Sequence, residues 1–153
     1  MTWEQGRAVI EQLLERGELE RVVANAAFAA ASLELCEKHI TTAQLAFAND
    51  PVAALSIAYD ASRKALAAVL LAQGLRPTRR GGHIAVTDAL TAQLDPPSRI
   101  GRQVDRIRRL RNDNEYPDVT TPVATAADAA DAITVATDAL KAARLVLPHL
   151  TPF

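Results

Sequence analysis

The densest chemistry in this sequence lies in "RIGRQVDRIRRLRNDNEYPD", Arg99 to Asp118. Six arginines fall within the thirteen residues 99–111, and the run closes on an acidic, aromatic, proline-terminated segment. Guanidinium groups present planar forks of donors that match phosphate and carboxylate oxygens. Such a cluster suits an anionic ligand, nucleic acid or nucleotide first, or else forms a solvated helix face. Ile100, Val104 and Ile107 step along one helical face, and the next position in that register is Arg111. Arg102, Arg106 and Arg109 lie off this stripe, with Asp105 one turn before Arg109. A charge on an inward stripe must be paired, or must line a cleft that an anion can reach. Glu115, one turn on, or an acid on a neighbouring helix would pair Arg111; left free, it grips a phosphate. Arg80, His83, Arg108 and Asn114 complete the candidate anion-binding set.

The other reactive side chains are few. His83, after "RRGG", is the one histidine whose loop could fold toward the cleft; a loop or cap role is the alternative. His39, on a long helix beside Lys38, reads as surface or packing, and His149 as exposed. These histidines and Cys36 lack metal-ligand spacing, so no metal is expected. No P-loop or dinucleotide fingerprint is present, and no cofactor is expected. The single cysteine excludes an intrachain disulfide and fits a reducing compartment.

The charge distribution is uneven. From Arg76 to Arg111 there are nine arginines and three acids, whereas the remainder carries eight basic and fifteen acidic residues. A net charge of −1 therefore conceals one electropositive region. The N-terminal segment "MTWEQGRAVIEQLLERGELE" has no apolar signal-peptide core, and charges interrupt every candidate membrane span. The expectation is a cytoplasmic protein with no membrane partner.

Helices must position these groups. Alanine and leucine dominate, hairpin signals are missing, and strand-like alternation is scarce. Thr2 and Gln5 form a capping-box pattern opening a helix over about 3–16, with Trp3, Ile10, Leu13 and Leu14 apolar. Ala29, Leu33, Cys36, Ile40, Ala43 and Phe47 form one stripe on a helix over about 24–48. Asp50 and Pro51 then cap and start a helix over about 51–73, apolar nearly all round and so suited to the centre of a bundle. Gly74 closes it. Shorter helices follow over about 83–94 and 98–114, the latter capped by Ser98, and a last helix over about 125–146. The spacing predicts an all-α, antiparallel up-down bundle of four to five helices in a single domain spanning 1–153. Its core covers about 24–147, with the helix over 3–16 packed on it.

"LRNDNEYP", set late in a helical bundle before a final long helix, resembles the signature region of HEPN domains, the higher eukaryote and prokaryote nucleotide-binding domains. "AAFAAASLELCEKHITTAQLAF", "DPVAALSIAYDASRKALAAVLLAQGLRP" and "GGH" are similar to the successive helices and turn of prokaryotic members, so the likeness covers about 24–146. The resemblance implies a helical bundle that dimerises, with paired motifs meeting across a cleft. Catalytic members are metal-independent ribonucleases whose motif is an arginine, a polar residue and, four to six residues on, a histidine. Arg111 and Asn112 match the first two; Tyr116 stands where the histidine would be.

That departure matters chemically. Metal-free RNA cleavage needs a base for the 2′-hydroxyl, an acid for the leaving oxygen, and cations for the phosphorane. Arg111 suits the cation role and Asn112 could orient ribose or phosphate. Tyr116 is a poor base, because a phenol with a pKa near 10 stays protonated at neutral pH. Tyr116 can instead stack on a base. The resemblance therefore implies a non-catalytic or degenerate HEPN-like protein that binds RNA, nucleotide or a partner protein. The setting it suggests is a toxin–antitoxin or phage-defence module, with a nucleotidyltransferase-type or antitoxin protein as partner. The alternative is an active endoribonuclease using Arg111, Asn112 and Tyr116.

Overall fold

The computed structural model describes residues 4–153. Among them are six α-helices: α1 (Arg7–Glu15), α2 (Ala26–Ala46), α3 (Pro51–Ala72), α4 (Gly82–Leu94), α5 (Ile100–Glu115) and α6 (Ala126–Val146). The architecture is all-α. The one sheet among the described residues is a two-stranded antiparallel ribbon, β1 (Leu19–Arg21) with β2 (Leu75–Pro77), in which Glu20 pairs with Arg76. Sequence periodicity gave no hint of this ribbon, because three-residue strands are too short to show alternation.

Local chemistry sets the helix ends. Asn25 and Asp50 accept the backbone N–H of Phe28 and Ala53 at 2.9 and 3.0 Å, capping α2 and α3. Thr125 and Asp128 form a reciprocal capping box at the start of α6. For α5 the expected Ser98 cap is a two-residue device. The Ser98 hydroxyl accepts from Ile100 N and donates to Asp95, whose other oxygen accepts from Arg102 N. The first helix starts later than its sequence pattern suggests. Thr2 and Trp3 lie outside the described residues, Gly6 stands at the N-cap with φ 79°, and Gln5 donates to Pro96 O at 2.7 Å instead of capping.

Packing follows the stripes. On α2 the residues Ala29, Leu33, Cys36, Ile40 and Ala43 are buried, as their spacing requires. The Cys36 thiol, pushed up to about 11 by burial, donates to Ala61 O and is a packed, unreactive group. α3 is the central element and contacts α2, α4, α5 and α6. Small residues let the helices approach closely. At Gly101, on α5, a Cβ would sit 2.3 Å from Thr91 Oγ1 and 2.4 Å from Thr91 Cα, so only glycine fits against α4.

One polar pair is embedded in this core. Gln73 and Gln93 are both buried, and each amide donates to the other's oxygen, at 3.0 and 2.8 Å. Replacing one partner strands a buried acceptor, which costs about 1–3 kcal/mol, whereas removing both is nearly neutral. Gln93→Leu is therefore expected to lower the urea midpoint of unfolding, and Gln73→Leu/Gln93→Leu to recover most of the loss.

Candidate phosphate-binding site

The junction of α3, α4 and α5 gathers the polar groups of the interior edge. Tyr59 belongs to α3 and is only 2 % exposed. Its hydroxyl lies 2.9 Å from Nδ1 of His83, in the first turn of α4, and the two rings are tilted at 50° with centroids 5.7 Å apart. The turn before α4 fixes His83. Thr78 donates its hydroxyl to Gly17 O and accepts from Gly81 N, and Thr78 N donates to Glu18 O. A Cβ at Gly81 would fall 2.1 Å from Glu18 O, so glycine is required where this turn meets the strand ribbon's entry.

Three guanidinium groups act on the Tyr59–His83 pair. Arg63 comes from α3, one turn after Tyr59, and Arg108 and Arg111 come from α5. Burial is the main force holding the His83 imidazole below its usual range; Arg63 and Arg111 push the same way, Asp60 opposes, and Arg108 adds a little more. Burial likewise pushes the Tyr59 phenol up to about 12 against the pull of these arginines, so the hydroxyl keeps its proton. The hydroxyl donates to Nδ1 when the hydrogen of a neutral His83 is on Nε2, and accepts from Nδ1–H in the other tautomer.

Arg111 is neither in bulk water nor sealed inside. Its side chain is 28 % exposed and makes one long contact, 3.6 Å, to Glu115. Arg108 is more tightly held, with Nε 2.8 Å from Asp105. Burial would raise Asp105, but hydrogen bonds from Arg108 and Arg109 outweigh it and hold the carboxyl low. Arg63 donates to Asp60, which also accepts from Lys64, while Arg63 Nε is buried and finds no hydrogen-bond partner among the described residues.

The remaining candidates lie apart from this cluster. Asn112 is exposed, and Tyr116 is 80 % exposed beyond the end of α5. Asn114 is a clasp: its amide donates to Leu110 O and accepts from Ala124 N, both at 2.8 Å, tying the loop before α6 to α5. Arg80 is exposed in the turn before α4 and is not among the charges that act most on His83. His39 Nδ1 lies 3.4 Å from Asp60.

Much of the electropositive region is compensated. Arg76 pairs with Glu20, Arg102 with Asp95, Arg106 with Asp131, and Arg109 with Asp105. An open groove of about 730 Å³ runs along the outer side of α5, between Asp88, Arg102, Arg106 and Arg109. Its arginines carry these acidic partners, and Asp88, raised by burial and then by Asp105 and Glu18, adds further acid there. The groove is thus less suited to an anion than the Tyr59–His83 junction. Among the described residues no cluster of His, Cys, Asp and Glu could hold a metal ion, and no helix is long and apolar enough to cross a membrane.

The structure is thus an all-α bundle in which arginines of α3 and α5 act on a polar pair formed midway along the central helix. The HEPN domain family model matches residues 29–146, and the chain belongs to that family. Membership points to a nucleotide- or RNA-related function. No curated protein and no solved structure matches the chain at a significant level.

Tyr59 and Arg63 were not singled out from sequence. The available signal was the polar interruption "YDASRK" in an apolar helix, where Tyr59, Asp60, Arg63 and Lys64 are one turn apart in pairs.

Proposed function

We propose that this protein is a non-catalytic HEPN protein that binds RNA or nucleotide phosphates through the cationic junction of α3, α4 and α5. The reading rests on the buried Tyr59–His83 hydrogen bond lying in the field of Arg63, Arg108 and Arg111, with Arg111 held among the described residues by one 3.6 Å contact to Glu115. Arg111 supplies the phosphate fork, His83 a hydrogen-bond donor, and the exposed Tyr116 ring a platform for a base. Two copies associate, as the family resemblance implies, bringing two such clusters together. The setting is a cytoplasmic toxin–antitoxin or defence module, with a nucleotidyltransferase-type or antitoxin partner.

A second reading has one observation in its favour. A histidine does reach the arginine cluster, although from α4 and not from the α5 motif, so metal-independent endoribonuclease chemistry has a proton-handling group. That role requires the tautomer with Nε2 free of hydrogen, in which Nδ1–H donates to the Tyr59 hydroxyl.

The test is titration of the purified protein with a single-stranded oligoribonucleotide over a range of salt, alongside incubation of the same RNA in EDTA. The expected result is binding that weakens with salt, log K falling by about 0.7 per phosphate contact for each unit of log salt, and intact RNA. Absence of binding would overturn the proposal. Cleavage in EDTA would replace it with the ribonuclease reading.

A further inference from the structure

The segment after α6 is strapped back across the molecule. Leu147, Leu150 and Phe153 pack against the core. Phe153 reaches the C-terminal end of α3, where its N–H donates to Gln73 O at 2.9 Å. Arg21, the last residue of β1, donates to Phe153 O at 2.6 Å, and its guanidinium lies 5.4 Å from the centroid of the Phe153 ring. The guanidinium of Arg7, the first residue of α1, lies 4.8 Å from the same centroid. Both distances are within cation–π range.

What Phe153 grips is the least self-sufficient part of the chain. α1 has nine residues and β1 three. A helix that short and an isolated two-stranded ribbon are marginal in water, so their order comes from their neighbours. α1 and β1, like residues 147–153, lie outside the stretch that the family model matches. The link between α1 and β1 in turn holds the turn before α4. Gly17 O accepts from the Thr78 hydroxyl and Glu18 O from Thr78 N. Thr78 then receives Gly81 N on its hydroxyl and Gly82 N on its carbonyl. His83 follows directly and meets Tyr59.

We propose that residues 147–153 form a latch. Closed on Arg7 and Arg21, Phe153 holds α1, β1 and the turn over residues 78–82 as one unit, which opens before the rest of the bundle when the latch is released. The unit is separable because α1 packs chiefly on α4 and β1, whereas α2, α3 and α6 pack on one another. Regions of this kind, joined to the core by few contacts, open locally at a lower free energy than the whole molecule. His83 then answers to whether the Phe153 seat is filled, and whatever draws Phe153 out loosens the turn beneath the imidazole. No ligand at the Tyr59–His83 pair is needed, so the latch is independent of the anion-binding reading.

The experiment is amide hydrogen exchange of the whole protein, read residue by residue by NMR. Four amides report the unit: Ile10 N on Gly6 O, Val22 N on Gly74 O, Thr78 N on Glu18 O and Gly82 N on Thr78 O. In the parent protein they are expected to share one protection factor, at least about tenfold below that of the slowest amides of α3. Phe153→Ala is expected to speed the exchange of all four together by about tenfold, the loss of two partly exposed cation–π contacts. Phe153→Trp, which keeps an aromatic face for both guanidinium groups, is expected to match the parent. Arg21→Ala, which leaves the ring in place and removes one side of the grip, is expected to speed the same four amides. Three results would overturn the latch. One is exchange of the four amides as slow as the slowest of α3, which would mean that they open only with the whole bundle. Another is acceleration at Ile10 and Val22 with none at Thr78 and Gly82, which would disconnect the turn under His83. The third is unchanged exchange at all four in both the Phe153→Ala and the Arg21→Ala variants.

Discussion

An Arg111→Ala variant is expected to bind single-stranded RNA about ten- to a hundredfold more weakly than the parent protein, the loss of one or two charge-assisted hydrogen bonds. Its log K against log salt should also flatten by about 0.7, since one phosphate contact disappears. The fold should survive. Among the described residues Arg111 is paired with Glu115 alone, at 3.6 Å, a partly exposed pair whose contribution to stability is under about 1 kcal/mol. Removing the charge also relieves some of the crowding of guanidinium groups around His83. Arg111→Lys should recover only part of the affinity, because an ammonium keeps the charge and loses the two-pronged geometry. Arg109→Ala is the matched control. That side chain is 72 % exposed, paired to Asp105, and on the outer groove of α5. An equal loss in the Arg109 and Arg111 variants would mean that RNA reads only the general charge of the helix.

Gly101→Val is expected to give the largest loss of stability of any single substitution described for this protein. Alanine in place of glycine ordinarily favours a helix by about 1 kcal/mol. At position 101 that gain is overwhelmed, because the Cβ would sit 2.3–2.7 Å from Thr91 Oγ1, Cα and N. Two of those atoms are backbone, so α4 and α5 must separate. Overpacking of this kind costs about 1–3 kcal/mol and sometimes more, and the β-branched valine adds further volume. For a chain of 153 residues this corresponds to a fall in Tm of about 5–10 °C. Thr91→Ala should not rescue the variant, since it removes Oγ1 and leaves the Cα clash. The same displacement moves Arg108 and Arg111, on α5, away from His83, on α4, so RNA affinity should fall together with stability. A variant that melts like the parent protein would show that the two helices can separate at negligible cost.

The helices were legible because apolar spacing is a local property. The stripe from Ala29 to Ala43 and the Asp50–Pro51 start are written within single turns. The position of Arg111 was legible for the same reason, as the continuation of Ile100, Val104 and Ile107 along one face. What sequence did not reveal is what joins distant segments. The Tyr59–His83 contact links α3 to α4 through a turn that is itself fixed by residues 17 and 18. Tyr59 reads as one more large side chain in an apolar helix until its hydroxyl is given a partner. The acidic compensation of the arginines was hidden likewise, because Asp131 and Glu20 are far in sequence from Arg106 and Arg76.

The reciprocal amides of Gln73 and Gln93 have a consequence for the family's history. Either glutamine alone is a liability once its counterpart has gone, so a lineage that loses one passes through a weakened intermediate unless the second change follows quickly. Related chains should accordingly keep both amides or have exchanged both for aliphatic side chains, and these two columns should covary more tightly than neighbouring core positions.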